Sequence, residues 1–228
     1  MSFPGFDKSL VQFLGQLKKN NNRAWFERNK ARYEAQVREP VLAFIRTIAP
    51  RIEKISPYIF VSDSKVGGSM MRPYRDTRFT HDKEPYKTNV GIQFRHERGD
   101  DIHAPGFYLH IEPGEFWLAV GMWKPDAESL AKVRRHIAES PREWLVARNN
   151  ARFTASWELV GDSLKRPPRG FDPAHPLIED IKRKDYLGYC NLGRKELYRS
   201  DIVERVAAGY ATAKPFMKFL CGALGLGF

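Results

Sequence analysis

Cysteine is scarce in this chain. Only Cys190 and Cys221 occur in 228 residues, far apart and in no metal-like spacing. This excludes a disulfide framework and a cysteine-built zinc site, and it reads as reduced thiols in a cytoplasmic protein. Neither cysteine has a neighbouring histidine that would mark a nucleophile. Long apolar runs are also missing, and none approaches the ~20 residues of a membrane helix. The first residues, Met1 to Gly5, show neither a basic n-region nor an apolar h-region, so no secretion signal is read there. Three motif families are absent as well: G-x-S-x-G, H-E-x-x-H and C-x-x-C. Gly67-Gly68-Ser69 lacks the G-x-x-x-x-G-K-[ST] spacing of a phosphate loop. There is no internal repeat and no low-complexity linker.

Apolar residues make up 42% and charged residues 29%, which rules out a disordered or collagen-like chain. A chain of this length buries a full core without staples. The formal net charge is +11, from 38 basic and 27 acidic residues. Its distribution matters more than its size. Residues 1–57 carry +6, residues 58–123 carry −1 and residues 124–228 carry +6. A nucleic-acid binder concentrates Lys and Arg on one stripe. Here the basic residues of the helical segments alternate with acids, as solvated helix faces do. Nucleic acid therefore stands as a possible partner but not the favoured one, and no membrane partner is expected.

The hydrophobic pattern divides the chain into three. Asp7 or Ser9 caps a first helix bearing Leu10, Phe13, Leu14 and Leu17. Asn22 caps a second with Trp25, Phe26, Tyr33 and Val37, which Pro40 ends or kinks. A third helical stretch runs from Val41 to Ile52, with Pro50 expected to interrupt it. After Pro57 the period changes to two. Tyr58–Val61, Met70–Tyr74, Thr88–Glu97, Phe107–Glu112 and Glu115–Met122 read as strands. Pro113-Gly114 closes a hairpin in which Glu112 faces Glu115, His110 faces Trp117 and Tyr108 faces Ala119. Helix returns at Asp126, and Pro141 starts another. Phe153–Val160 is ambiguous and Tyr186–Leu192 is a candidate strand. A last helix from Asp201 is broken at Pro215, and Gly222–Gly227 reads as loose. The expected fold is one α+β domain over 1–228. A central antiparallel meander, about residues 58–122 with 186–192 as a further candidate, is flanked by N-terminal and C-terminal helices.

One segment calls for chemistry. Residues 72–88 hold five Arg or Lys and three Asp or Glu between two strands. Such a connection is uncommon as a mere linker. Arg offers a planar fork to phosphate or carboxylate, and Lys a point charge. Arg75, Arg78, Lys83 and Lys87 would hold a small phosphate- or carboxylate-bearing ligand. Asp76 and Asp82 would position them, and Tyr86 would donate a hydroxyl bond. The same residues would also serve as an internal ion-pair network that staples the loop. In that alternative the basic helices would make a nucleic-acid or protein-interaction module.

The pattern R-D-x-R-F-x-x-D-K-x-P-Y-K-T is carried by Arg75-Asp76, Arg78-Phe79, Asp82-Lys83 and Pro85-Tyr86-Lys87-Thr88. It resembles the signature of the domain-of-unknown-function family numbered 2461. Phe13-Leu14, Asn21 to Phe26, Lys30 with Tyr33, Gly121 with Pro125, Leu164 to Phe171 and His175-Pro176 agree with it in order. The resemblance covers nearly the whole chain and implies one domain. It implies no activity and no residue roles.

Three further groups are candidates. Tyr108, His110 and Glu112 share one strand face, and His110, with a pKa near neutrality, is the candidate general acid or base if the protein is an enzyme. A metal site there would need a third ligand recruited from His81, Asp82, His96 or His103; no metal and no cofactor is expected. Asn89, Gln93 and Arg95 beside Tyr108 and His110 would make a polar sheet face, which the 72–88 loop would turn into a cleft. Arg166, Arg169 and His175 lie in a proline-rich loop that reads as surface structure, and the five tryptophans read as packing.

Overall fold

A computed structural model describes residues 3–78, 81–97 and 104–228. Phe79 of the signature and His103 lie outside the described residues.

The chain opens with α1 (Lys8–Lys19), whose N-cap Asp7 accepts the Ser9 N–H at 2.8 Å. Leu10, Phe13, Leu14 and Leu17 recur on its buried face, as helical spacing requires. Asn22 caps α2 (Arg23–Arg28) by accepting the Trp25 N–H at 2.9 Å. A short α3 (Lys30–Tyr33) then runs through a π-helical turn (Glu34–Arg38) into α4 (Glu39–Ile55). The expected interruption at Pro50 does not occur, and at Pro40 the α pattern gives way to the π turn while the backbone stays helical. Pro40 sits just after the widened π turn, which makes room where a proline ring crowds the carbonyl four residues back. Pro50 is carried inside α4, whose buried Phe44, Ile45, Ile48 and Ile52 outweigh one lost hydrogen bond.

The sheet follows: β1 (Ile59–Phe60), β2 (Val90–His96), β3 (Gly106–Glu112) and β4 (Glu115–Met122). Gly114, at φ +103°, makes the tight turn after Pro113, and the hairpin register is the expected one, with Glu112 opposite Glu115 and His110 opposite Trp117. The Met70–Tyr74 strand is reduced to single bridges, Met70 with Ile92 and Tyr74 with Tyr86. Then come α5 (Ala127–Glu139), α6 (Pro141–Arg148) and α7 (Ala151–Thr154). The ambiguous 153–160 stretch is split between α7 and β5 (Glu158–Val160). After α8 (Ile178–Ile181), β6 (Tyr186–Asn191) inserts between β4 and β5. The strand order is β1-β2-β3-β4-β6-β5, antiparallel throughout. Two helices, α9 (Ile202–Thr212) and α10 (Lys214–Ala223), complete the α+β fold.

Strand alternation sorts the sheet into two faces. Ile92, Phe94, Phe107, Leu109, Ile111, Phe116, Leu118 and Val120 are buried beneath the helices. Tyr210 of α9 stacks on Phe107 at 4.5 Å and 15°. Gln93, Arg95, Tyr108, His110, Glu112, Trp117, Ala119 and Tyr189 face the other way and are half-buried. The glycine-rich end is packed rather than loose. The Gly227 carbonyl lies 2.9 Å from His96 Nε2, and Phe228 packs edge-on against Phe107. Glycine there allows close approach: a Cβ on Gly227 would meet the Tyr58 ring at 2.6 Å. Among the described residues, no helix is long and apolar enough to cross a membrane.

Candidate functional site

The 72–88 segment is a short hairpin of its own. The Arg75 N–H donates to the Pro85 carbonyl at 2.9 Å, and the Lys87 N–H to the Pro73 carbonyl at 2.7 Å. Both prolines therefore stand where only an acceptor is needed, which is why the ladder tolerates them. Between these bonds Tyr74 faces Tyr86. The Tyr86 ring is buried, stacked on Phe26 of α2 at 4.1 Å and 16°. Burial raises its phenol pKa.

Asn21, in the turn between α1 and α2, fixes the hairpin to the helices. Its side-chain oxygen accepts the Tyr86 N–H at 3.1 Å. Its amide nitrogen donates to the Tyr86 carbonyl at 2.9 Å and to Glu84 at 3.1 Å. The side chain thus pairs with one residue's backbone as a neighbouring strand would. Asn21 lies in the stretch that carries the family resemblance, which implies no role for it. No local signal marks it, since its partners are 63 and 65 residues away.

The charged groups of the hairpin pair closely. Arg75 reaches Asp82 at 2.6 Å and Glu84 at 3.7 Å. Arg78 clasps Asp76 through two nitrogens, at 3.0 and 2.7 Å. That fork holds the Asp76 carboxyl at about 2, while the Glu84 N–H and then Arg75 lower Asp82. Lys83 donates to the Thr77 carbonyl at 2.9 Å. Lys87 differs. It is half-buried, and among the described residues its ammonium has no hydrogen bond and no ion pair. Burial, and then the like charge of Arg72, lower its pKa.

On the neighbouring sheet face His110 is the centre of a polar cluster. The Asn89 amide nitrogen and the Tyr108 hydroxyl lie 3.4 and 3.2 Å from Nδ1. Nε2 lies 3.2 Å from the Glu112 carboxylate. An amide N–H can only donate, so Nδ1 accepts and the neutral ring carries its proton on Nε2, toward Glu112. Burial lowers the His110 pKa, and the Glu112 bond opposes that shift. Lys18, at the end of α1, reaches the other Glu112 oxygen at 3.6 Å. The imidazole stacks on Trp117 at 4.4 Å and 8°. Among the described residues no hydrogen bond or ion pair joins the hairpin's charged groups to His110. The hairpin docks at the α1–α2 corner, and the sheet face stays accessible.

The other candidates lie apart. His96 is buried on the opposite sheet face and stacks with Tyr58. Among the described residues no group of three His, Cys, Asp or Glu side chains is placed to hold a metal. His175 Nδ1 accepts the Leu177 N–H at 3.0 Å, which organises the proline-rich loop. Two concavities, about 540 Å³ beside Lys214 and Lys218 and about 270 Å³ beside Arg148 and Asp180, lie away from the hairpin and from His110.

The hairpin, Asn21 and the His110 face all fall within residues 9–219, the span that matches the family described as Conserved hypothetical protein (DUF2461). The chain belongs to that family. No curated protein and no solved structure matches it. The family span ends at Phe219, so it takes in most of α10 and leaves out the Gly227–Phe228 contact with the sheet.

Proposed function

We propose that this protein binds a small anionic ligand, phosphate- or carboxylate-bearing, where the 72–88 hairpin enters β2. The observation that carries the reading is Lys87: a half-buried lysine whose ammonium has no acceptor among the described residues, beside a second cation, Arg72. A cation partly withdrawn from water and left without a partner gains most when an anion arrives. Arg75, Arg78 and Lys83 already have partners within the hairpin and act by shaping it. Should a reaction accompany binding, the His110–Glu112 pair supplies a neutral imidazole with an oriented proton for general acid–base work. A cytoplasmic setting suits the two free cysteines; burial holds the Cys221 thiol at about 12 and inert.

The test is a thermal-shift titration with inorganic phosphate, pyrophosphate and dicarboxylates at fixed ionic strength. At a hundredfold excess over Kd a ligand adds about 2.7 kcal/mol, a rise of about 5–11 °C for a chain of this size. Lys87→Ala should abolish the shift and Arg72→Ala should weaken it, while both keep the wild-type far-UV spectrum. A shift that survives Lys87→Ala rejects the site. Binding that tracks only salt concentration and survives both substitutions favours the basic helices and a polyanionic partner.

A further inference from the structure

The accessible sheet face holds a second feature, independent of Lys87. Tyr108, Ala119 and Tyr189 stand side by side on β3, β4 and β6. One methyl group thus sits between two phenols. Adjacent strands lie about 4.8 Å apart, so a group above Ala119 is roughly that far from the strand of either tyrosine. Trp117, the next outward residue of β4, closes a third side. Its ring lies 5.3 Å from Tyr108 and 5.5 Å from Tyr189, tilted by 48° to each. The indole is braced from behind by the His110 stack. All of these residues, Ala119 included, are partly accessible, so the floor of this bowl is not filled from within.

Two carboxylates flank the bowl, in a chain whose net charge is +11. Glu158 stands directly opposite Tyr189 in the ladder, and Glu115 accepts the Trp117 indole N–H at 3.3 Å. Both carboxylates are exposed, and among the described residues neither has an ion-pair partner. Burial raises the Tyr189 phenol pKa, and the fields of Glu115 and Glu158 add to it. Aromatic faces attract a cation within about 6 Å of their centroids. The floor offers a methyl group and a backbone committed to the β3 and β6 ladders. The floor itself offers no hydrogen-bond acceptor, which favours an alkylated ammonium that needs none over a primary one that would have to turn to the rim.

We propose that the Tyr108–Trp117–Tyr189 bowl binds the quaternary ammonium group of a small molecule. The rings supply contact and cation–π attraction, and Glu115 and Glu158 draw the cation in and exclude anions.

The probe is choline, compared with its uncharged isostere 3,3-dimethyl-1-butanol, followed by tryptophan emission and ligand proton NMR at constant ionic strength. Choline should saturate, and the isostere should bind about tenfold more weakly or worse, the factor expected of a partly desolvated cation–π contact. Tyr189→Ala should weaken choline about tenfold, and Tyr189→Phe should restore it, since the ring and not the hydroxyl makes the contact. Ala119→Leu fills the floor at an accessible strand position, keeps the fold by circular dichroism and should abolish binding. Lys87→Ala should change nothing, which separates this site from the anion site. Equal binding of choline and the isostere, or no saturable change with choline, overturns the proposal. So does choline binding that persists in a folded Ala119→Leu protein.

Discussion

Three consecutive asparagines, Asn20, Asn21 and Asn22, should respond very differently to the same truncation. Asn20 donates one exposed hydrogen bond to the Gln16 carbonyl at the end of α1. Asn22 caps α2 through the Trp25 N–H. Asn21 makes three bonds, two of them to the partly buried backbone of Tyr86. A net hydrogen bond contributes about 1 kcal/mol, so Asn21→Ala should cost about 2 kcal/mol from the two backbone bonds alone. For a chain of this length that lowers Tm by about 4–8 °C. Losing the cap in Asn22→Ala should cost about 1 kcal/mol, and Asn20→Ala no more than about 0.5. Asn21→Asp should do no better than alanine: it keeps an acceptor for the Tyr86 N–H but sets a carboxylate against the Tyr86 carbonyl and Glu84. Urea denaturation followed by circular dichroism ranks the three. The order Asn21, Asn22, Asn20 is the expected result. An Asn21→Ala protein within about 0.5 kcal/mol of wild type refutes the clamp, because two unpaired backbone groups cannot be that cheap when half-buried.

Two further outcomes follow from the site. Tyr86→Ala should destabilise by about 3–5 kcal/mol, the cost of removing a buried aromatic ring, whereas Tyr86→Phe keeps the Phe26 stack and should stay near wild type; a loss below about 1 kcal/mol in the alanine variant, read from the same urea curves, contradicts the packing. Proton NMR of the imidazole should show His110 titrating below 6.5, and Glu112→Gln should lower it further, since the carboxylate is what opposes burial. The sign for stability follows. The unfolded chain takes up the proton first, so the His110 contribution is complete above 6.5 and is lost as pH falls through the folded value. A His110 pKa above 6.5, or stability that rises on acidification through this window, would overturn the assignment.

Where a structural rule acts over a few residues, the sequence displayed it. Asp7 and Asn22 cap their helices because a short acceptor precedes a periodic apolar run. Pro113-Gly114 sets the β3–β4 register, since only a two-residue turn fits and Gly114 accepts its positive φ. Local reasoning failed where packing overrode it. Pro50 reads as an interruption, yet the buried face of α4 carries the helix through it. Gly222–Gly227 read as loose, yet Gly227 lets the chain press against Tyr58 and His96. The pairs Arg78–Asp76 and Arg75–Asp82 span two and seven residues, a distance at which complementary charges are visible in sequence. Asn21 meets Tyr86 across 65 residues, and Tyr189 joins Tyr108 and Trp117 only because β6 inserts beside β4. No spacing announces either event.

The strand order also has a consequence for how the chain keeps company. The sheet is long in the middle and very short at its margins: β1 has two residues and β5 has three. Beyond β1, the 69–71 segment takes up part of the open side of β2, with Met71 donating to the Gly91 carbonyl and Gln93 to that of Ser69. Unpaired rows of backbone N–H and C=O are what recruit a foreign strand and start aggregation. Here the outermost strands end almost as soon as they begin. A hydrophobic sheet with one face already open to solvent can in this way remain dispersed, because a stray chain finds too few free backbone groups in a row to grip.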